Sequence, residues 1–141
     1  MPQYIGWEHF HHEADIGVRG HGRSLAEAFE QVALAMTAVI LEPDRVADHD
    51  LVVVHVSAAD REVLLTEWLN ALVYEMATRG MLFRRFRVEI GNDELQGMAW
   101  GEPIDVERHR PTVEIKGATF TELAVRRNSD GFWLAQCVVD V

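Results

Sequence analysis

The chain has 141 residues, of which 48% are hydrophobic and 26% charged. That is ordinary for a folded soluble protein and long enough for one domain burying roughly 68% of its unfolded surface. A net charge of −10 argues against a protein that coats nucleic acid by bulk electrostatics. No apolar run approaches a membrane span, and Met1-Pro2-Gln3-Tyr4 lacks the basic and apolar regions of a signal peptide. The single cysteine, Cys137, excludes an internal disulfide and any CxxC motif. A cytoplasmic protein with a single domain over residues 1–141 is the expectation.

Alternation predicts strands over residues 4–11 and 16–21. Ser24-Leu25-Ala26-Glu27 has the spacing of a capping box. Leu25, Phe29, Val32, Ala33, Met36 and Ile40 then recur at helical period to about residue 41, ahead of Pro43. Residues 50–57, rich in valine, read as a strand. A second helix is expected from about Asp60, with Val63, Leu64, Trp68, Leu69, Leu72, Val73 and Met76 on its buried face and Gly80 as its C-cap. From Leu82 the pattern changes to short strands, the first marked by Phe83, Phe86, Val88 and Ile90. Others are expected over residues 95–100, 112–116 and 119–127. Asn128-Ser129-Asp130-Gly131 signals a hairpin turn before a last strand over residues 132–141. Two helices packed on a mostly antiparallel sheet make an α+β fold.

Two acids stand out. Asp15 closes His11-His12-Glu13-Ala14-Asp15-Ile16-Gly17, and Asp140 interrupts the apolar run Cys137-Val138-Val139-Asp140-Val141. If the fold brings them together, oxygens converge with little to neutralise them, and such a cluster must hold a cation or take up protons. His9, His11, His12, Glu13 and Asp15 also invite a transition-metal reading, in which two histidines and a carboxylate hold zinc or iron. On a strand, however, His9 and His11 point to one face and His12 to the other. No downstream ligand spacing accompanies them, so satisfied or solvent-facing histidines are the simpler expectation.

Asp44, Asp48 and Asp50 lack the central glycine and closing glutamate of a calcium loop, which leaves a solvated acidic linker. No GxSxG elbow surrounds Ser24, Ser57 or Ser129, and no glycine-rich phosphate loop precedes Lys116. Gly17, Gly20 and Gly22 read as turn glycines. Arg84, Arg85 and Arg87, with Arg108 and Arg110, form a candidate basic patch, for which a solvated sheet face is the simpler reading. Of the 13 basic residues, Lys116 is the lone lysine. An ammonium on a flexible stem changes its pKa on burial as a guanidinium does not, which makes Lys116 a residue to locate.

Taken in order, several of these segments resemble the archease family. They begin with His12-x-x-Asp15-Ile16-Gly17 and Ser24-Leu25-x-Glu27-Ala28-Phe29-Glu30, then Leu64-Leu65-x-x-Trp68-Leu69-Asn70. Gly101-Glu102 with Asp105 and His109 follow, then Glu114-Ile115-Lys116-Gly117-Ala118-Thr119 and the ending Val138-Val139-Asp140-Val141. The family commonly has Thr where this chain has Glu13, and Lys-Ala where it has Lys116-Gly117. The resemblance implies a small α+β protein that is not itself a ligase but assists the RtcB-type RNA ligase of tRNA splicing and RNA repair. It would promote guanylylation of the ligase's active-site histidine, allow multiple turnover and broaden nucleotide use.

The resemblance also implies a metal site, usually calcium, that matches the side chains of Asp15 and Asp140 and the main-chain oxygen of Val141. Lys116 matches the family's functional lysine. Carboxylate and carbonyl oxygens suit calcium or another hard divalent cation better than zinc. The implied partner is the ligase, with RNA reached only through it and no membrane involved. Two other readings stay open: a general chaperone or adaptor with exposed apolar surface, and a free-standing metal-dependent hydrolase using His11, His12 and Asp15.

Overall fold

A computed structural model describes residues 4–141; residues 1–3, part of the segment read for a targeting signal, lie outside the described residues. The described chain opens with a hairpin. β1 (Gly6–His12) and β2 (Asp15–Gly22) pair antiparallel from Gly6 opposite His21 to His12 opposite Asp15, leaving Glu13 and Ala14 as a two-residue turn. Glu13 takes a φ of 52°, the left-handed backbone that such tight turns ask of their first residue. α1 (Leu25–Ile40) follows. Ser24 caps it by accepting the Glu27 N–H at 3.1 Å, and Glu27 reaches back to the Arg23 N–H at 2.7 Å, one residue before the cap.

Gly17, Gly20 and Gly22 all belong to β2 and not to turns, which corrects the sequence expectation. A Cβ on Gly20 would stand 2.3 Å from Val32 N and 2.4 Å from Ala28 O. The backbone of α1 therefore rests directly on the strand. Gly17, on the opposite face, is covered by the Phe10 ring.

A 3-10 turn (Pro43–Arg45) leads to β3 (Asp50–Ser57) and then to α2 (Arg61–Arg79). Asp60 caps α2 by accepting from the Glu62 and Val63 N–H groups, and Gly80 ends it with a φ of 63°. β4 (Met81–Gly91) and β5 (Glu94–Pro103) form a second hairpin. These strands make a three-stranded antiparallel sheet in the order β3-β5-β4, with a bulge between Phe83 and Arg85.

Beyond Pro103 the structure departs from the expected run of strands. A one-turn helix, α3 (Val106–His109), appears where none was foreseen. Residues 112–116 form no strand, and in place of one over 119–127 stand β6 (Gly117–Ala118), just upstream, and β7 (Ala124–Arg127). Thr112 supplies a reason. Its N–H and hydroxyl both donate to Ile40 O at 2.9 Å, and the hydroxyl also reaches Val39 O at 3.1 Å. Thr112 thus serves the open carbonyls at the end of α1, while Lys116 at the far end of the segment bonds to the last strand residue, Asp140.

After the turn at 128–131 comes β8 (Trp133–Asp140). It is an interior strand, with β2 on one side and both β6 and β7 on the other. The core lies where α1 and α2 meet the two sheets, with Phe29, Leu64, Leu65 and Trp68 buried. Trp68 fits because residue 97 is glycine: a Cβ there would come within 2.1 Å of the indole. Its Nε1–H donates to Phe29 O at 3.1 Å, which satisfies its polar atom and joins the two helices. Two long helices and a single-turn third against antiparallel strands make the fold α+β. Among the described residues no helix is long and apolar enough to cross a membrane.

Candidate functional site

β2 begins on Asp15 and β8 ends on Asp140. Their pairing sets Ile16 opposite Val139, and one further step along that register sets Asp15 opposite Asp140. His12 pairs with Asp15 on the outer side, and Gly117 pairs with Asp140 on the other. One row therefore crosses four adjacent strands: His12, Asp15, Asp140, Gly117.

Directly paired residues share a face of the sheet, with Cβ atoms about 4.5–5.5 Å apart. Ile16, Val18, Cys137 and Val139 pack into the core. By alternation Asp15 and Asp140 leave the sheet on the face turned away from the helices. Asp140 is exposed, and Asp15 and Val141 are half-buried. The Lys116 N–H donates to Asp140 O at 2.8 Å, which seats the backbone of the only lysine beside the same strand end.

Of the strand's histidines only His12 stands in this row. His9 Nε2 donates to Ala35 O at 2.7 Å, and His11 is exposed on the face opposite His12. Among the described residues, no group of three His, Cys, Asp or Glu side chains is placed to hold a metal ion. The arrangement of His11, His12 and Asp15 that a hydrolase would need is therefore not assembled.

The Archease protein family model matches residues 7–141. The chain belongs to the archease family. Protein archease from Pyrococcus abyssi is 40% identical over 139 residues, covering 96% of this chain and 98% of that protein. Protein archease from Sulfurisphaera tokodaii is 35% identical over 137 residues with the same coverage, 96% and 98%. The solution structure of Methanobacterium thermoautotrophicum protein 1598 superposes with a TM-score of 0.84 at 34% identity, over 96% of this chain and 99% of that one.

Other archease motif residues, given no role by the sequence, hold the segment that leads to Lys116. Glu102 receives the Arg108 Nη2–H at 2.6 Å, the Ala47 N–H at 2.7 Å and the His109 Nε2–H at 2.9 Å. His109 is fully buried and accepts the Asp105 N–H at Nδ1, so Nε2 is its donating nitrogen. The Arg108 hydrogen bond first, and the Ala47 N–H second, lower the Glu102 carboxyl from 4.5 to about 2. This network ties β5, α3 and the start of the 104–116 segment into one unit. Charge counting could not have found it, because 23 acids offer many partners for 13 bases.

The arginines do not form one free cationic face. Arg85 lies 3.9 Å over the Trp100 ring and pairs with Asp48 at 3.3 Å. Arg84 donates to Val46 O at 3.2 Å, and Arg108 is engaged by Glu102. Arg108 and Arg110 sit on or just after α3, a different element from the β4 run that carries the other three. In the same archease chain, Asn70 of α2 reaches the edge of β6. Its Oδ1 accepts the Ala118 N–H at 2.8 Å.

Proposed function

We propose that this chain is a protein cofactor of an RtcB-type RNA ligase, active in tRNA splicing and RNA repair in the cytoplasm and not itself an enzyme. It promotes guanylylation of the ligase's active-site histidine and multiple turnover by contact with the ligase, and RNA is met only through that partner. The observation that supports this most is the shared strand end of Asp15, Asp140 and the Lys116 backbone in an archease-family chain.

Asp15 and Asp140, through their side chains, and Val141, through its main-chain oxygen, would hold calcium or another hard divalent cation. The donor set fits such an ion. It consists of two carboxylates and a carbonyl, oxygens alone, with His12 the one imidazole in the same row. A bound divalent cation neutralises phosphate oxygens during phosphoryl transfer. Calcium takes about six to eight oxygens, so this chain's ligands leave positions for water or for the partner's own groups. Lys116 adds a compact positive charge beside them, suited to a triphosphate.

The test is single-turnover guanylylation of an RtcB-type ligase with and without this protein. Wild-type protein should raise the rate. Folded Asp15→Ala, Asp140→Ala and Lys116→Ala variants should each lose stimulation on the order of tenfold or more. Full stimulation by all three variants would sink this reading. Calorimetric titration with calcium should show binding by wild type and its loss in Asp15→Ala and Asp140→Ala.

A further inference from the structure

β6 is only two residues long and pairs with β8 through Gly117 and Ala118 alone. The Lys116 and Thr119 N–H groups turn inward to Asp140 O and Val138 O, at 2.8 and 3.0 Å. The Ala118 N–H between them turns outward. Asn70 takes it: Oδ1 accepts this N–H at 2.8 Å, and Nδ2 donates back to Ala118 O at 3.5 Å. One side-chain amide thus engages both polar groups of one backbone residue, as a neighbouring strand's peptide would.

Two further observations separate this contact from a chance one. Asn70 is an exposed position inside a 19-residue helix, where asparagine is a poor helix former and core packing does not demand it. Gly117 leaves room for the approach, since a Cβ there would stand 3.2 Å from Asn70 Oδ1. The same device recurs on the other sheet, where Glu30 of α1 accepts the Val88 N–H of edge strand β4 at 2.8 Å. In both places a helix side chain supplies the partner that a missing strand would have supplied.

We propose that Asn70 is the positioning residue for Lys116. By fastening Ala118 to α2, it fixes the Lys116-Gly117-Ala118 segment against the Asp15 and Asp140 end of the sheet. Lys116 is then presented from a rigid edge and not from a frayed one. Asn70 touches neither a metal nor the partner; it acts only through the backbone. The inference rests on the ligase-activation reading of that site.

Asn70→Ala and Asn70→Asp separate the possibilities. Aspartate keeps an acceptor for the Ala118 N–H and loses only the longer bond. Two readouts are needed: amide hydrogen exchange across residues 116–118, and the guanylylation rate of an RtcB-type ligase at saturating amounts of this protein. In folded Asn70→Ala, exchange at Ala118 and Lys116 should quicken by roughly tenfold. The saturating rate should fall several-fold toward that of Lys116→Ala, and Asn70→Asp should stay within about twofold of wild type on both readouts. A protein that was merely less stable would recover the wild-type rate when added in excess. Unchanged exchange in Asn70→Ala, or freed amides with an undiminished saturating rate, would overturn the proposal. If wild type gives no stimulation, or Lys116→Ala retains all of it, the ligase reading fails. Exchange at Lys116 then decides alone whether Asn70 fixes its backbone.

Discussion

Glu102→Gln should destabilise the protein by about 3 kcal/mol at neutral pH, and most of that loss should disappear in acid. Glu102 is 8% exposed and accepts three hydrogen bonds, from Arg108, Ala47 and His109. Its carboxyl is lowered from 4.5 to about 2, with the Arg108 hydrogen bond as the leading cause. That separation corresponds to roughly 3 kcal/mol at 1.36 kcal/mol per unit. Arg108 is half exposed, so screening by solvent reduces the figure to about 2 kcal/mol. Glutamine preserves the shape but turns an NH2 toward groups that are themselves donors, which adds about 1 kcal/mol for an unmet donor. A carboxyl whose folded pKa is depressed contributes fully above its unfolded value, here 4.5, and loses that contribution as pH falls toward about 2. Urea unfolding of wild type and variant between pH 7 and pH 3 measures the difference, provided the denaturant slope is unchanged. The gap should be flat down to about pH 5 and close steadily below it. A gap under about 0.5 kcal/mol at pH 7, or one indifferent to acid, would refute the claim that carboxylate charge anchors this segment.

Two other perturbations test the packing beneath the site. Gly20→Ala places a Cβ 2.3 Å from Val32 N and 2.4 Å from Ala28 O, and both are backbone atoms of α1. Helix and strand must separate, at about 1–3 kcal/mol or more, and thermal unfolding should drop by roughly 5–10 °C. An unshifted melting temperature would show that the helix does not rest on β2. Cys137 is fully buried, and burial pushes its thiol up to about 12. A thiol-specific disulfide reagent at pH 8 should leave it untouched in the native protein and titrate it on denaturation. Prompt reaction of the folded protein would contradict the burial.

The helices were legible because their signals are local. The 3.6-residue period, the Ser24 cap and Gly80 locate both long helices to within a residue or two. β3 was also plain, since its alternating valines match its burial pattern. Thr112-Val113-Glu114-Ile115-Lys116 alternates equally well yet forms no strand. Side-chain pattern says nothing about what the backbone is tied to, here the last carbonyls of α1 at Thr112 and Asp140 at Lys116. Gly20 and Gly22 misled for a related reason: glycine is depleted in strands, and only contact with α1 explains it there. Asp15 and Asp140 could be singled out as acids among apolar residues, but their meeting could not. It depends on a pairing between residues 111 or more positions apart along the chain.

That pairing shows how the site is specified. Seven residue pairs run from Ile16 opposite Val139 to Gly22 opposite Trp133. Ile16, Val18, Cys137 and Val139 all belong on the core face of this ladder. Side chains alternate with period two, so a slip of one residue would exchange the two faces of both strands and turn the carboxylates toward the core. Burying either acid unpaired would cost several kcal/mol. The register is therefore enforced by residues that take no part in the chemistry. Val18 and Cys137, paired with each other and fully buried, determine where Asp15 and Asp140 meet as firmly as the acids do themselves.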